Sequence, residues 1–127
     1  MVRRPGRTTV ATTGQPMYRM KAEFFKTLGH PARIRVLELL AVRDHTVGEM
    51  RGDVGIEPAN LSQHLAILRR AGLVTAHRDG LAVSYQLASP QIAELLAAAR
   101  AILSGLLTDQ ARQLHEGPVP LAGRPAS

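Results

Sequence analysis

Residues 58–78 combine small, amide and hydroxyl side chains with three arginines, and no acidic residue interrupts them. Asparagine and glutamine amides can form paired hydrogen bonds with the edge of adenine, and a serine hydroxyl can serve either donors or acceptors. Arginine suits phosphate groups. The stretch therefore has the composition of a surface that contacts a polyanion, with Asn60, Ser62 and Gln63 as candidates for reading bases.

The sequence gives little support for other kinds of chemistry, such as metal binding or catalysis. The chain has no cysteine, which excludes disulfides, thiolate zinc sites and thiol switches. Its five histidines show no His-x3-His or comparable pair, so we expect neither a metal ion nor a cofactor; His45 with Glu49, or His115 with Glu116, remains an alternative. Phosphate loops, nucleophile elbows and His-Glu-x2-His helices are missing from the sequence, so we do not expect an enzyme.

Composition favours a single basic domain. The 127 residues are 45% hydrophobic, with two tyrosines and two phenylalanines, so aliphatic residues must supply most of the core and helix is favoured. The formal net charge of +6 favours a polyanionic partner. We find no signal-peptide pattern and no run approaching the roughly 18 apolar residues of a membrane span. We therefore expect a soluble cytoplasmic protein without a membrane partner.

The two ends differ from the middle. Residues 1–16 carry Arg3, Arg4 and Arg7 without apolar periodicity, which predicts a flexible basic arm, either a solvated leader or a contact to DNA. Residues 116–127 contain three prolines and are expected to form a disordered tail. Residues 17–115 are then the folded domain.

Helix signals follow one another in the first half of the domain. Apolar spacing predicts a helix over residues 17–28 that stops at Gly29 as a C′ residue, and a second helix that opens at Pro31. Thr46 and Glu49 have the spacing of a capping box, which predicts a short third helix ending at Gly55.

The second half begins with a fourth helix over residues 58–71, capped by a left-handed Gly72. Its buried side is predicted to carry Leu61, Leu65 and Leu68, and its exposed side Ala59, Gln63, Ala66 and Arg70. Two extended runs around Asp79-Gly80 then predict a hairpin over residues 73–87 with a type I′ turn. A long final helix starts near Ser89-Pro90.

This order of elements predicts the fold class. It is mainly α with a small β-hairpin, the winged variant of helix-turn-helix, with one additional helix at each end. Residues 58–71 would be the recognition helix and residues 73–87 the wing. The alternative for residues 58–71 is an ordinary amphipathic surface helix.

The additional helices are candidates for a dimer interface. Apolar residues in the last helix are spaced 4, 3, 4, 3 from Ile92 to Leu106, a wider stripe than one side of a small domain needs. The alternative is that the stripe only packs on its own core. The candidate interface residues are Phe24, Phe25, Leu95, Leu96, Ile102, Leu103 and Leu106.

Three blocks of sequence resemble the ArsR/SmtB family of bacterial winged-helix repressors. They are residues 28–37 (LGHPARIRVL), residues 60–74 (NLSQHL followed by LRRAGLV), and Arg78-Asp79-Gly80 with Tyr85 on the return strand. The resemblance implies a homodimer that binds an imperfect palindrome in promoter double-stranded DNA and releases it on a signal. It also implies that the terminal helices pair across a two-fold axis.

The same resemblance assigns site residues. Family recognition positions fall on Pro58, Ala59, Ser62 and Gln63, with Asn60 beside them, and wing positions fall on Arg78, Asp79 and Gly80. Because Pro58 and Ala59 have no polar side-chain groups, readout would rest on the other three. The predicted base-reading set is Ala59, Asn60, Ser62 and Gln63, and the predicted positioning set is Pro58, His64, Arg69 and Arg70. His64 would either pack half-buried against the domain or contact a phosphate group. Arg69 and Arg70 would either offset the helix dipole or contact phosphate groups.

The chain departs from metal-sensing relatives in the resembled family. Their thiolate cluster would fall at residues 46–50, where Val47, Gly48 and Met50 stand, and only Glu94 could serve as a ligand among residues 89–100. We therefore expect a regulator without the cysteine switch, whose effector is unknown. The alternatives are a nucleoid-type protein that coats DNA without sequence preference, and a winged helix that binds another protein.

Overall fold

The computed structural model describes residues 14–116, which form one mainly helical domain with a small sheet. The predicted arm up to residue 13 and the predicted tail from residue 117 lie outside the described residues. In chain order the elements are α1 (Met17–Leu28), α2 (Pro31–Val42), β1 (His45–Thr46), α3 (Val47–Val54), α4 (Pro58–Arg70), β2 (Val74–Asp79), β3 (Ala82–Leu87) and α5 (Pro90–Glu116).

The core lies where α2, α3 and α4 meet. Val36 and Leu37 of α2 and Met50 of α3 are fully buried against the buried side of α4, which consists of Leu61, Leu65 and Leu68 as predicted. Burying a large aliphatic side chain contributes about 1.5–3 kcal/mol each. The three helices are therefore held as a unit, and α4 has one fixed side and one free side.

Local capping explains most helix ends. Thr46 Oγ1 accepts from the Glu49 N–H at 3.2 Å and the Glu49 carboxylate accepts from the Thr46 N–H at 2.9 Å, which confirms the capping box. Gly55 and Gly72 have φ of 70° and 79°, as left-handed stops require. Gly29 differs from the prediction: its φ is −76°, because the chain passes directly into His30, the N-cap of α2, without a left-handed reversal.

The sheet has three antiparallel strands in the order β1-β3-β2. The hairpin of β2 and β3 confirms the predicted wing. Strand β1 was not predicted, because a two-residue strand has no periodicity; it pairs His45 with Tyr85 and Thr46 with Ser84. The wing is therefore joined to the start of α3 as well as to the end of α4.

The wing turn differs from the predicted type I′ geometry. Asp79 pairs with Ala82 as the last rung of the ladder, so Gly80 and Leu81 are the two turn residues. Gly80 has φ of 70°, while no residue other than glycine in the described part of the chain has positive φ. A single positive φ at the first turn position is the pattern of type II′, which requires glycine only there.

Helix α5 extends beyond the domain. Ile92 is buried and Leu95 and Leu96 are half-buried, but every residue from 97 to 115 is exposed. The alternative that the stripe only packs on its own core is therefore wrong: Ile92, Leu95 and Leu96 pack on the core, whereas Ala99, Leu103 and Leu106 are exposed. Only the first turns of α5 pack against the core, because α2 does not extend alongside the rest of the helix.

Helix α5 also corrects the expectation about membrane spans. By length and composition alone, residues 90–115 are long and apolar enough to cross a membrane, and almost none of this segment is buried. The sequence has no long continuous apolar run here, because single polar residues interrupt the apolar residues of this segment. A helix of this kind needs a partner for its apolar side.

Candidate nucleic-acid interface

The free side of α4 presents the predicted base-reading residues together. Ala59, Asn60, Ser62 and Gln63 are all exposed, and Pro58 is exposed at the first turn. Because α4 rotates about 100° per residue, Ala59 and Gln63 lie opposite the buried leucines, whereas Asn60 and Ser62 lie on its two flanks. Ala66 is half-buried rather than exposed as predicted, so the exposed side of α4 is interrupted between Gln63 and the last-turn residues Arg69 and Arg70.

The polar groups on this side have no partners within the domain. Among residues 14–116, the side chains of Asn60, Ser62 and Gln63 make no hydrogen bond to protein. Two amides and one hydroxyl are thus directed at solvent from a helix whose other side is fixed. A narrow helix with free donors and acceptors near its N-terminus fits the major groove of B-DNA, which is about 12 Å wide.

Cationic side chains flank the base-reading residues. Arg69 and Arg70 occupy the last turn of α4 and Arg78 lies near the wing tip with Asp79 and Gly80; all five residues are exposed. In the described part of the chain, none of these three arginines forms an ion pair. They are free to contact an anionic partner such as phosphate groups.

Leu81 is a feature of the wing that the sequence reasoning missed. It occupies the second turn position and is 99% exposed. The signal was available, since an apolar residue directly after Asp-Gly is placed at a hairpin tip, but assigning the turn to Asp79-Gly80 put Leu81 in the strand.

His64 belongs to a cluster behind the base-reading residues. It is half-buried on the flank of α4, where its Nδ1 lies 3.3 Å from Nη1 of Arg33 and its ring centroid lies 4.3 Å from that of His30. Burial lowers the pKa of His64 below its ordinary value, and the neighbouring His30 and Arg33 lower this pKa further. The position of His64 on this flank was predicted, but its two partners were not, because they lie more than 30 residues earlier in the chain.

The residues suggested as chance metal ligands make other contacts. His45 is buried, with its Nδ1 2.8 Å from the Arg43 carbonyl, and Glu49 is engaged in the capping box and with Arg43 at 3.4 Å. Within the span from residue 14 to residue 116, no group of three or more histidine, aspartate or glutamate side chains could hold a metal ion.

An apolar groove lies between α1, α2 and α5. It encloses about 630 Å³ between the end of α1, the start of α2 and the start of α5, and Phe25, Leu95 and Leu96 line it. Phe24 packs edge-on against Phe25 with centroids 5.3 Å apart. Ile102, Leu103 and Leu106 continue from the groove along the exposed part of α5. The predicted interface residues therefore form one continuous surface, which we call the α1–α5 face.

The fold defines the class of the protein. Helices α3 and α4 form a helix-turn-helix, the β2–β3 hairpin is its wing, and α1 and α5 are the additional helices, as predicted. A sequence profile of the family described as "Bacterial regulatory protein, arsR family" matches residues 30–76. An HTH-type transcriptional regulator of Mycobacterium tuberculosis, Rv0081, is 58% identical over 103 residues, or 80% of this chain and 90% of that protein. The chain belongs to the ArsR family of bacterial regulatory proteins.

Further comparisons agree with this assignment. The biofilm growth-associated repressor of Agrobacterium fabrum is 40% identical over 81 residues, which are 64% of this chain and 69% of that protein. The crystal structure of Rv0081 superposes with a TM-score of 0.72 at 60% identity, covering 76% of this chain and 98% of that one. The homodimeric winged helix-turn-helix DNA-binding domain of Mb0332 from Mycobacterium bovis superposes with a TM-score of 0.65 at 27% identity, covering 72% and 84%.

Proposed function

We propose that this protein is a sequence-specific DNA-binding transcriptional repressor that acts as a homodimer in the cytoplasm. The observation that carries the proposal is the set of unpartnered polar side chains, Asn60, Ser62 and Gln63, on the free side of α4. Polar groups placed together on a rigid helix without internal partners are available for an external hydrogen-bonding surface. The related repressor of Agrobacterium fabrum supports the sign of regulation.

The proposed docking places α4 in the major groove. Gln63 and Asn60 are suited to adenine, and Ser62 can bond either donors or acceptors. Ala59 and Pro58 are small enough to let the backbone approach the base edges. Arg69 and Arg70 then contact phosphates beside the groove. The wing, with Arg78, Asp79 and Gly80, reaches the adjacent minor groove or its phosphates.

A second copy of the chain is the proposed partner of the α1–α5 face. Isolated helices of fewer than 12–15 residues are marginal in water, and longer ones rely on packing of an apolar side. Residues 97–115 have no such packing within one chain. The homodimeric relative from Mycobacterium bovis supports a dimer as the source of this packing.

A membrane fits the same face less well. Arg100, Asp109 and Arg112 all lie in the exposed part of α5, and Asp109 pairs with Arg112 at 3.4 Å. A charged side chain in the middle of a bilayer costs about 2.5–3.5 kcal/mol or more. A two-fold pairing leaves these charges in water while covering the leucines.

The dimer explains why the proposed operator is an imperfect palindrome. A two-fold axis presents two copies of α4 to one side of the duplex, and half-sites must then be separated by about 34 Å, one turn of DNA. The operator is proposed to lie in the protein's own promoter or a neighbouring one. Because the sequence contains no cysteine, any effector must act without thiol chemistry.

The test is selection of bound fragments from the source genome, followed by footprinting and by measurement of affinity against salt. We expect a protected palindrome, and affinity for it that exceeds affinity for unrelated DNA by about 1000-fold or more. Equal affinity for all sequences with one steep salt slope would support the DNA-coating alternative. Negligible binding near 150 mM salt would support the protein-binding alternative and contradict the proposal.

The same selection, repeated with added metal ions, oxidants and metabolites, tests for an effector. We expect metals and oxidants to leave binding unchanged. Release by an added metal ion would contradict the proposal of a regulator without a metal switch.

A further inference from the structure

The side chain of Arg33 links two helices that have different roles in the proposed function. Its Nε donates to the carbonyl of Thr27 in the last turn of α1 at 2.7 Å, and its Nη1 lies 3.3 Å from Nδ1 of His64 on α4. Helix α1 carries Phe24 and Phe25 of the α1–α5 face. Helix α4 carries Gln63 next to His64.

The contacts fix the protonation of both histidines. A guanidinium has only donors, so Nδ1 of His64 must accept and its ring proton must lie on Nε2. Nδ1 of His30 accepts from the Ala32 backbone N–H at 3.0 Å, which places the His30 proton on Nε2 as well. A further proton on His64 would go to its Nδ1, which would then be a donor that faces the Arg33 guanidinium, itself a donor.

The flank of α4 beside this cluster is otherwise open. A groove of about 380 Å³ lies there, lined by Asn60, Gln63, His64 and His30. The base-reading side chains on this flank are not held by tight packing. The buried leucines hold α4 in the core, and the contacts of His64 hold this flank of the helix.

We propose that Arg33 is a positioning residue for DNA binding, which holds α4 in its binding orientation by fastening His64 to the end of α1. This inference rests on the proposed function, because it concerns how the same DNA-binding helix is held. Only the neutral form of His64 can be fastened in this way.

The proposal gives a pH dependence with an unusual sign. The groups that face His64 are His30, from the turn before α2, and Arg33, from α2; among the described residues, no carboxylate contributes to its titration. Adding positive charge to a protein ordinarily strengthens its attraction to DNA. Protonation of His64 should instead weaken operator binding, because it opposes the Arg33 contact. The lowered pKa of His64 places this loss below about pH 6.5.

The test uses the full-length protein and its selected operator, with Arg33→Lys and His64→Asn. Lysine keeps the charge but lacks the two-pronged fork, so we expect operator binding to weaken about 10-fold at pH 7.5, with the dimer retained. Asparagine can place an oxygen near the Nδ1 position and does not titrate, so operator binding by His64→Asn should no longer depend on pH in this range, whatever its affinity at pH 7.5. Arg112→Lys is the matched control, since Arg112 is exposed on α5 and, among the described residues, pairs with Asp109 alone.

The second measurement is operator affinity at pH 7.5 and pH 5.5. Wild-type affinity should fall about 3-fold or more on acidification, His64→Asn should remove this fall, and His115→Asn should keep it. Unchanged binding by Arg33→Lys, or an unchanged pH dependence in His64→Asn, would overturn the inference while leaving the proposed function intact. Loss of affinity in Arg33→Lys together with loss of the dimer would also overturn it, in favour of a purely structural role. If the wild type binds no DNA, it is the proposed function that fails.

Discussion

His45 pairs directly with Tyr85 across the sheet, so the strand that returns from the wing is joined to the residue pair from which α3 begins. His45 is buried, and its Nδ1 lies 2.8 Å from the Arg43 carbonyl. The next residue, Thr46, is the N-cap of α3. The wing and the helix-turn-helix are thus parts of one hydrogen-bonded unit, so a displacement of one should displace the other.

Gln63 should contribute to base preference. We expect Gln63→Ala to weaken binding to the selected operator by about 1–3 kcal/mol and to flatten the preference at one base position in each half-site, because a bidentate amide contact is lost. The measurement is competition binding against operators substituted at each position. Gln113→Ala, at an exposed position of α5, is the control. An unaltered preference would remove Gln63 from the set of base-reading residues.

Arg78 should act without regard to sequence. We expect Arg78→Ala to weaken specific and unrelated DNA nearly equally and to lower the slope of affinity against salt by about 1, since one phosphate contact is lost. Titrations at several salt concentrations measure this slope. The control is Arg112→Ala, which removes the same charge from α5 on the side away from the leucines. A loss limited to the operator would show that Arg78 reads sequence instead.

Leu103 should be part of the dimer interface. It is 58% exposed in the single chain, and we expect Leu103→Glu to produce monomers that bind the operator poorly, because a buried carboxylate without a partner is costly. Sedimentation equilibrium measures the mass. Val42→Glu, at an exposed position on α2, should remain dimeric. A dimer that persists in Leu103→Glu would place the interface elsewhere.

The capping box should make stability depend on pH in the acid range. The hydrogen bond from the Thr46 N–H, followed by the charge of Arg43, holds the pKa of Glu49 below its ordinary value. A carboxyl whose pKa is lower in the folded protein stabilises it above the pKa of the unfolded chain, and this contribution is lost as the pH falls through the folded pKa. Urea unfolding of wild type and Glu49→Gln should therefore differ at pH 7, and the difference should disappear as the pH falls through the folded-state pKa of Glu49.

Removing the other half of the box tests the same motif. Thr46→Ala should cost about 0.5–2 kcal/mol of unfolding free energy at pH 7, the usual cost of losing an N-cap. Thr108→Ala, at an exposed position in the middle of α5, is the matched control. Equal stability of Thr46→Ala and wild type would show that tertiary packing alone holds the start of α3.

Features set by neighbouring residues could be predicted from the sequence. The Thr46–Glu49 box, the left-handed Gly55 and Gly72, and the leucines of α4 follow from spacing within one helix or turn. The wing turn was misplaced by one residue because Asp-Gly suits two turn registers, and only the pairing of Asp79 with Ala82 decides between them.

Features that depend on distant contacts could not be predicted. Strand β1 exists only because β3 lies beside it, and the cluster of His30, Arg33 and His64 joins residues about one quarter of the chain apart. The roles of the candidate DNA-contacting residues likewise remain predictions, although their exposure and common side are now defined. The spacing of residues within one helix does not reveal which residues of another element they contact across the core.

Most of α5 does not pack against its own chain, so the order of this helix should depend on the concentration of the protein in the cell. At about 1.5 Å per residue the helix is about 40 Å long, and only its first turns are held by the rest of the same chain. The distal turns should fray when the protein is diluted below the dissociation constant of the proposed dimer, and helix content measured by circular dichroism should then decrease with dilution. Abundance itself would thus decide what fraction of the molecules is ordered enough to act.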